Sequence, residues 1–167
     1  MKSICLFSVA FFLVCAVHAQ TVYSVPTPTM EQKLNSAIMH FDNTTLAQIT
    51  VAKNNGMTPA ELGKKIGEVF IPAWDENGGF EPFVQFIING WACLGEGVQI
   101  IDQSDEKLEV MVSSLYRPVE DQGVLFGSSV EDLTAYFDAM LNEIAAHYGR
   151  SVEMTRGDEG YRIEIAL

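Results

Sequence analysis

Basic residues are scarce in this chain. Ten lysines and arginines stand against 22 aspartates and glutamates in 167 residues, a formal charge of −12 at pH 7. Such a field repels a polyphosphate backbone, and no basic stripe offsets it, so the composition argues against nucleic-acid binding. The acidity fits either an attraction for cationic partners or a solvated, soluble surface. Cysteine is scarcer still, with three residues, of which Cys5 and Cys15 fall in the leader described below. Cys93 is then alone, and no internal disulfide can staple the fold. Within Gly90-Trp91-Ala92-Cys93-Leu94-Gly95 it has apolar neighbours and reads as a small buried hydrophobe rather than a reactive thiol.

Histidine is equally sparse: beyond the leader only His40 and His147 occur. Structural zinc needs clustered cysteine and histidine ligands, and that spacing is absent. Nucleophilic hydrolysis needs serine or cysteine backed by a base, and no Gly-x-Ser-x-Gly elbow occurs. A Cys93 and His147 pair is the one arrangement left to an enzyme, but a histidine closing an amphipathic helix serves the helix dipole equally well. No catalytic residue and no metal ligand is assigned, and no cofactor is implied. Acidic turns at Asp75-Glu76-Asn77-Gly78-Gly79 and around Asp102, Asp105 and Glu106 lack the alternating ligands of an EF-hand loop and read as ordinary turns. Gly95-Glu96-Gly97 precedes a strand rather than opening a helix, so it is a turn and not a phosphate cradle.

Long apolar runs are missing everywhere except the start. Met1-Lys2, an apolar stretch from Ile4 to Val17 and Val17-His18-Ala19 before Gln20 form the three parts of a cleavable secretory signal over residues 1–19. The run is shorter than the roughly 20 apolar residues that span a bilayer, so the expected product is secreted or periplasmic and not membrane-spanning. Losing residues 1–19 removes one lysine and no acid, which moves the charge one unit further negative. Residues 20–29, with Pro26 and Pro28, read as an extended lead-in, and residues 30–167 as a single domain long enough to bury a core.

What is present is periodic. Met30, Leu34, Ile38 and Phe41 fall on one helical face, and Asp42-Asn43-Thr44 predicts a break before a short helix from Leu46 to Ala52. Thr58-Pro59-Ala60-Glu61 is a capping box with proline at the first helical position. Leu62, Ile66 and Val69 or Phe70 form that helix's inner face, and Pro72 with the glycines after Asn77 predicts a loop. Phe83, Phe86, Ile87 and Trp91 stripe a helix from Phe80 to Trp91. Alternation then takes over in a hairpin from Val98 to Val112, with Leu108, Val110 and Val112 set against Glu109, Met111 and Ser113. A loop through Arg117-Pro118 and Gly123 leads to a second capping signature, Ser128-Ser129-Val130-Glu131. It opens a long helix with Leu133, Phe137, Met140, Leu141, Ile144 and Tyr148 inward and Gly149 at its end. A last hairpin joins Ser151–Thr155 to Tyr161–Ala166. The fold class is therefore α+β: four helices, then hairpin, helix and hairpin, making a four-stranded antiparallel sheet covered by helices. Asn43-Thr44-Thr45 is also a glycosylation sequon.

Aromatic mass exceeds what these helices need for a core, and some of it is expected to line a pocket. Phe86, Trp91, Cys93, Met111, Tyr116, Phe137 and Met140 are the candidate ligand-binding residues, with Arg117 beside Tyr116 as an anion anchor. The alternative is that all are core and Arg117 a surface residue.

Three segments carry a family likeness: Gly90-Trp91-Ala92-Cys93-Leu94-Gly95-Glu96-Gly97, Ala145-Ala146-His147-Tyr148-Gly149 and Gly157-Asp158-Glu159-Gly160-Tyr161-Arg162-Ile163. In their order and spacing, from about Leu62 onward, the chain resembles the ligand-binding superfamily of the 4-vinyl-reductase domain, the haem-dependent nitric-oxide-binding domain and the transport-particle subunits of Golgi traffic. The resemblance implies a fold that encloses an apolar ligand between helices and sheet. It does not imply haem, because Val112-Ser113-Ser114-Leu115-Tyr116-Arg117 stands where the nitric-oxide binders carry Tyr-x-Ser-x-Arg, and the helix from Phe80 to Trp91 has no histidine. The cysteine ligands of metal-binding 4-vinyl-reductase domains are missing as well. Two functions remain open at this point: a module binding a small apolar or amphipathic molecule, and an interaction domain for another exported or envelope protein.

Overall fold

A computed structural model describes residues 29–93 and 97–167, apart from the Cys93 side chain. The expected leader, the lead-in as far as Pro28, and the Leu94-Gly95-Glu96 turn lie outside those residues. Three helices fill the first half: α1 (Met30–Asn54), α2 (Pro59–Glu76) and α3 (Phe80–Cys93). Strands β1 (Val98–Gln103) and β2 (Lys107–Val112) follow, then a short helix α4 (Arg117–Gln122) and a tiny ladder of β3 (Val124–Leu125) with β4 (Ser128–Ser129). Helix α5 (Val130–His147) and strands β5 (Val152–Gly157) and β6 (Gly160–Ala166) complete the domain. The class is α+β, as expected, with a four-stranded antiparallel sheet in the order β1-β2-β6-β5 packed against helices.

The predicted break after Phe41 does not occur, and α1 runs unbroken through it. Each polar residue there has a use that leaves the helix intact. Thr45 Oγ1 donates to the Phe41 carbonyl one turn back at 3.1 Å, and the Asn43 side chain accepts from the Tyr116 hydroxyl at 2.8 Å. Pro72 likewise sits inside α2 rather than in a loop. The turn beyond it is held from outside, by Trp74 packed on Phe83 and Phe86 and by Asp75 accepting from the Tyr148 hydroxyl at 2.9 Å. The stretch at Arg117-Pro118, read as loop, forms α4 with proline in its first turn.

The capping signatures act as tertiary joints. Thr58 and Glu61 close their box at the start of α2. The box on α5 is set one residue later than the sequence suggested, between Ser129 and Asp132. Asp132 also meets Lys53 at 2.6 Å, which ties the end of α1 to the start of α5. Ser128, freed from capping, is fully buried and donates to the Leu46 carbonyl at 3.2 Å.

Helices α2 and α5 run parallel and in backbone contact. Gly63 faces Tyr136 and Gly67 faces Met140, so the two glycines follow α5 upward one turn at a time. A Cβ on Gly63 would overlap the Tyr136 carbonyl, and one on Gly67 would stand 2.8 Å from the Met140 oxygen. Only glycine leaves that space. On its other side α5 covers the sheet, whose inner face presents Leu108, Val110, Val112, Val152, Met154, Tyr161, Ile163 and Ile165, all buried. The outer face carries a row of charges. Arg162 holds Glu109 through two nitrogens at 2.7 Å each, and Lys107 reaches Glu109 and Glu164 at 3.2 and 2.9 Å. Those cations keep the Glu109 carboxyl below its ordinary range, Arg162 first.

Gly63→Ala should destabilise the fold by roughly 2–3 kcal/mol through overpacking, whereas Gly90→Ala, with open space around its added carbon, should stabilise α3 by about 0.5–1 kcal/mol. Urea unfolding of both variants checks the pair. Equal midpoints would show that α2 and α5 do not depend on the glycine contact.

Candidate functional site: an apolar groove between four helices

The glycine contact decides where space is left. With α2 pressed on α5, helices α1 and α3 flank the pair, and a groove of about 770 Å³ opens between all four. Its floor is Tyr136, Phe137, Met140 and Leu141 of α5. Phe83, Phe86, Ile87, Gly90 and Trp91 of α3 form one wall, and Ile66, Phe70 and Trp74 of α2 another. Apart from the Tyr136 phenol on the floor, the polar groups lie on the α1 wall: His40, Thr44 and Gln48, at steps of four residues, form one stripe beside Ala37, Phe41 and Thr45.

The aromatic side chains are interlocked. Trp91 meets Phe137 edge-on at 5.1 Å, Tyr136 meets Phe137 at 5.2 Å, and Trp74 lies 5.0 Å from Phe86 and 5.6 Å from Phe83. Such pairs hold ring orientation as well as area. Phe83, Trp91 and Phe137 are buried, while Phe41, Phe70 and Phe86 remain about half exposed at the mouth. Burial pushes the Tyr136 phenol up from its ordinary value. An apolar groove with one hydrogen-bonding wall can hold an apolar body and orient a polar end.

Of the residues expected to bind, the structure brings Phe86, Trp91, Phe137 and Met140 together in this groove. Met111 lies on the outer face of the sheet, paired with Arg162. Tyr116 is buried against α1, and its hydroxyl is spent on Asn43. Arg117 is exposed at the start of α4. The nearby carboxylate of Glu120 accepts from the Leu115 amide and the Tyr161 hydroxyl, both at 3.1 Å, so this corner is built around a carboxylate of its own. Cys93 closes α3, and its side chain is outside the described residues. His147 sits 3.1 Å from Asp75 at the end of α5. Among the described residues no cluster of three or more metal-ligating side chains occurs, and no helix is long and apolar enough to cross a membrane.

The sequence places Ile66 and Phe70 on the inner face of α2 without assigning them to a ligand site, and it gives the α1 wall no such role. The signals of both walls were present as spacing: Ile66, Phe70 and Trp74 repeat at four residues, as do His40, Thr44 and Gln48. Periodicity marks a face without naming what it faces.

Tyrosine ionisation reports on the packing of the core and, through Tyr136, of the groove floor. Tyr161 is pushed up to about 12 by burial and then by Glu120, Tyr148 to about 12 by burial and then by Asp75, and Tyr116 and Tyr136 are raised chiefly by burial. The folded state thus favours the neutral phenol, while the unfolded chain ionises near pH 10. Stability should be full below pH 10 and fall progressively as pH rises from 10 toward 12. Ultraviolet titration alongside circular dichroism checks this. Phenols that all ionise near pH 10 with the fold intact would contradict the packing.

No known family model matches this sequence, and no curated protein does.

Proposed function

We propose that this chain is an exported binding module that holds a small apolar or amphipathic molecule in the four-helix groove. The observation that carries the reading is the groove itself. Its 770 Å³ falls among the volumes of small-molecule sites, and its walls are aromatic and aliphatic with one hydrogen-bonding stripe. The leader at residues 1–19 supports export into a secreted or periplasmic setting. The likeness to the 4-vinyl-reductase and nitric-oxide-binding superfamily points to the same kind of function, an enclosed apolar ligand. Here, however, the space lies among helices, whereas the expected place was between helix and sheet.

A second reading, an interaction domain for another exported protein, draws on the half-exposed rings of Phe41, Phe70 and Phe86 around the mouth. The two separate on whether the groove saturates with a small molecule.

The chain has two tryptophans, Trp74 and Trp91, and both line the groove. Tryptophan emission is therefore a direct reporter of occupancy. Titration with palmitate and with pyrene should give a saturable quench or shift for at least one of them. Phe86→Ser should weaken it by roughly three- to tenfold, since a ligand can cover only the exposed half of that ring, about half of the 1.5–3 kcal/mol of a fully buried phenylalanine. Met111→Ser, on the far side of the sheet, should leave it unchanged. Emission indifferent to either probe would count against the binding module.

A further inference from the structure

Helix α1 is much longer than the part of it that is packed. Its 25 residues extend about 37 Å at 1.5 Å per residue, yet the first buried residue is Asp42. Of the preceding three turns, about 18 Å, the first two stand clear of the core, and the third edges the groove with Ala37, His40 and Phe41. They are not a polar extension. Met30 is 80% exposed and Leu34 and Phe41 are each 54% exposed. At 100° per residue these share a face with Ala37, and the same face continues inward to Thr44 and Gln48 in the groove. A stretch this short is marginal as a helix in water on its own, although Thr29 and Gln32 cap it fully.

We infer that this face is covered by a second copy of the chain, the projecting half of each α1 lying antiparallel along the other and closing the mouth of the partner's groove. Charge favours this occupant. Two such acidic copies repel one another over most of their surface, but residues 30–41 hold one acid, Glu31, and one base, Lys33. The copies would meet where the acidity vanishes. A cationic partner, by contrast, would find nothing along this face to attract it.

Geometry favours it too. A two-fold axis beside Ala37 sets Leu34 of one copy against the partner's Phe41, and Met30 toward the partner's Thr44, exposed at the groove. The small side chain of Ala37 lets the helices approach at the crossing. Three helical turns alone offer less than the roughly 800 Å² per copy of a stable interface. Seating Met30 and Leu34 at the mouth adds the exposed rings of Phe70 and Phe86. The contact thus makes each copy's Met30 part of the other's site. It does not depend on what ligand the groove takes.

Sedimentation velocity of the purified protein at micromolar concentration tests it. A dimer is expected for the parent chain, and a monomer for Met30→Glu and Leu34→Glu, whose urea midpoints should match each other because both positions are exposed. Ala37→Cys should yield a disulfide-linked dimer on mild oxidation, with the linkage at position 37 located by peptide mass. A monomeric parent, a dimer that survives Leu34→Glu, or a linkage elsewhere would overturn the proposal. So would a monomer that co-sediments with phosphatidylcholine vesicles and loses that binding in Leu34→Glu, since the face would then belong to a lipid surface. Tryptophan emission of monomeric Leu34→Glu with palmitate reads the groove separately, so loss of the dimer and loss of ligand binding remain distinguishable.

Discussion

The contact between α2 and the backbone of α5 is the constraint from which the other placements follow. Gly63 and Gly67 remove the side chains that would hold the two helices apart, and α2 settles along α5 in parallel register from Tyr136 to His147. Since α5 also covers the sheet, α2 becomes an outer layer with no strand of its own to cover. Helices α1 and α3 must then pack at the sides of the pair. Trp74 on α2 fixes α3 through Phe83 and Phe86, and the Lys53–Asp132 pair fixes the end of α1 to the start of α5. A groove bounded by four helices results.

How the groove is lined follows from what each helix must do elsewhere. Helix α5 contributes apolar residues because it is buried on both sides, and α3 because its stripe continues the core. Helix α1 can bring His40, Thr44 and Gln48 to the groove because its own core contacts, Leu46, Ile49 and Ala52, lie on a different face. The result is an apolar groove whose polar groups, apart from the Tyr136 phenol on the floor, lie on the α1 wall. That asymmetry suits a molecule with one polar end, and it places the orienting groups on the helix whose outer half stands in solvent.

Local signals in the sequence were reliable where the physics is local. The capping box at Thr58, the switch from helical to alternating spacing after Gly97 and the two hairpins all appear as read. Where tertiary partners decide, the local reading failed. Asp42-Asn43-Thr44 looked like a break, yet Asn43 is a hydrogen-bond acceptor for Tyr116 and Thr45 bonds back into the helix. Pro72 looked like an end, yet contacts made by Trp74 and Asp75 carry α2 past it. The aromatic half of the groove was legible, in Phe86, Trp91, Phe137 and Met140, because large apolar residues at helical spacing must be covered by something. Met111 was legible in the opposite sense: alternation with Val110 and Val112 already set it on the polar face with Glu109. The glycine contact left only Gly63-x-x-x-Gly67 in the sequence, a spacing that identifies no partner until α5 is placed against it.

The central claim is that the groove receives a small apolar or amphipathic molecule, and intact mass under native conditions tests it most directly, on protein purified without unfolding. The account predicts a chain mass increased by a stoichiometric adduct that is lost on denaturation and regained when an apolar ligand is supplied. A clean mass that stays unchanged in the presence of fatty acids and aromatic metabolites would contradict it and assign the exposed phenylalanines to a protein partner.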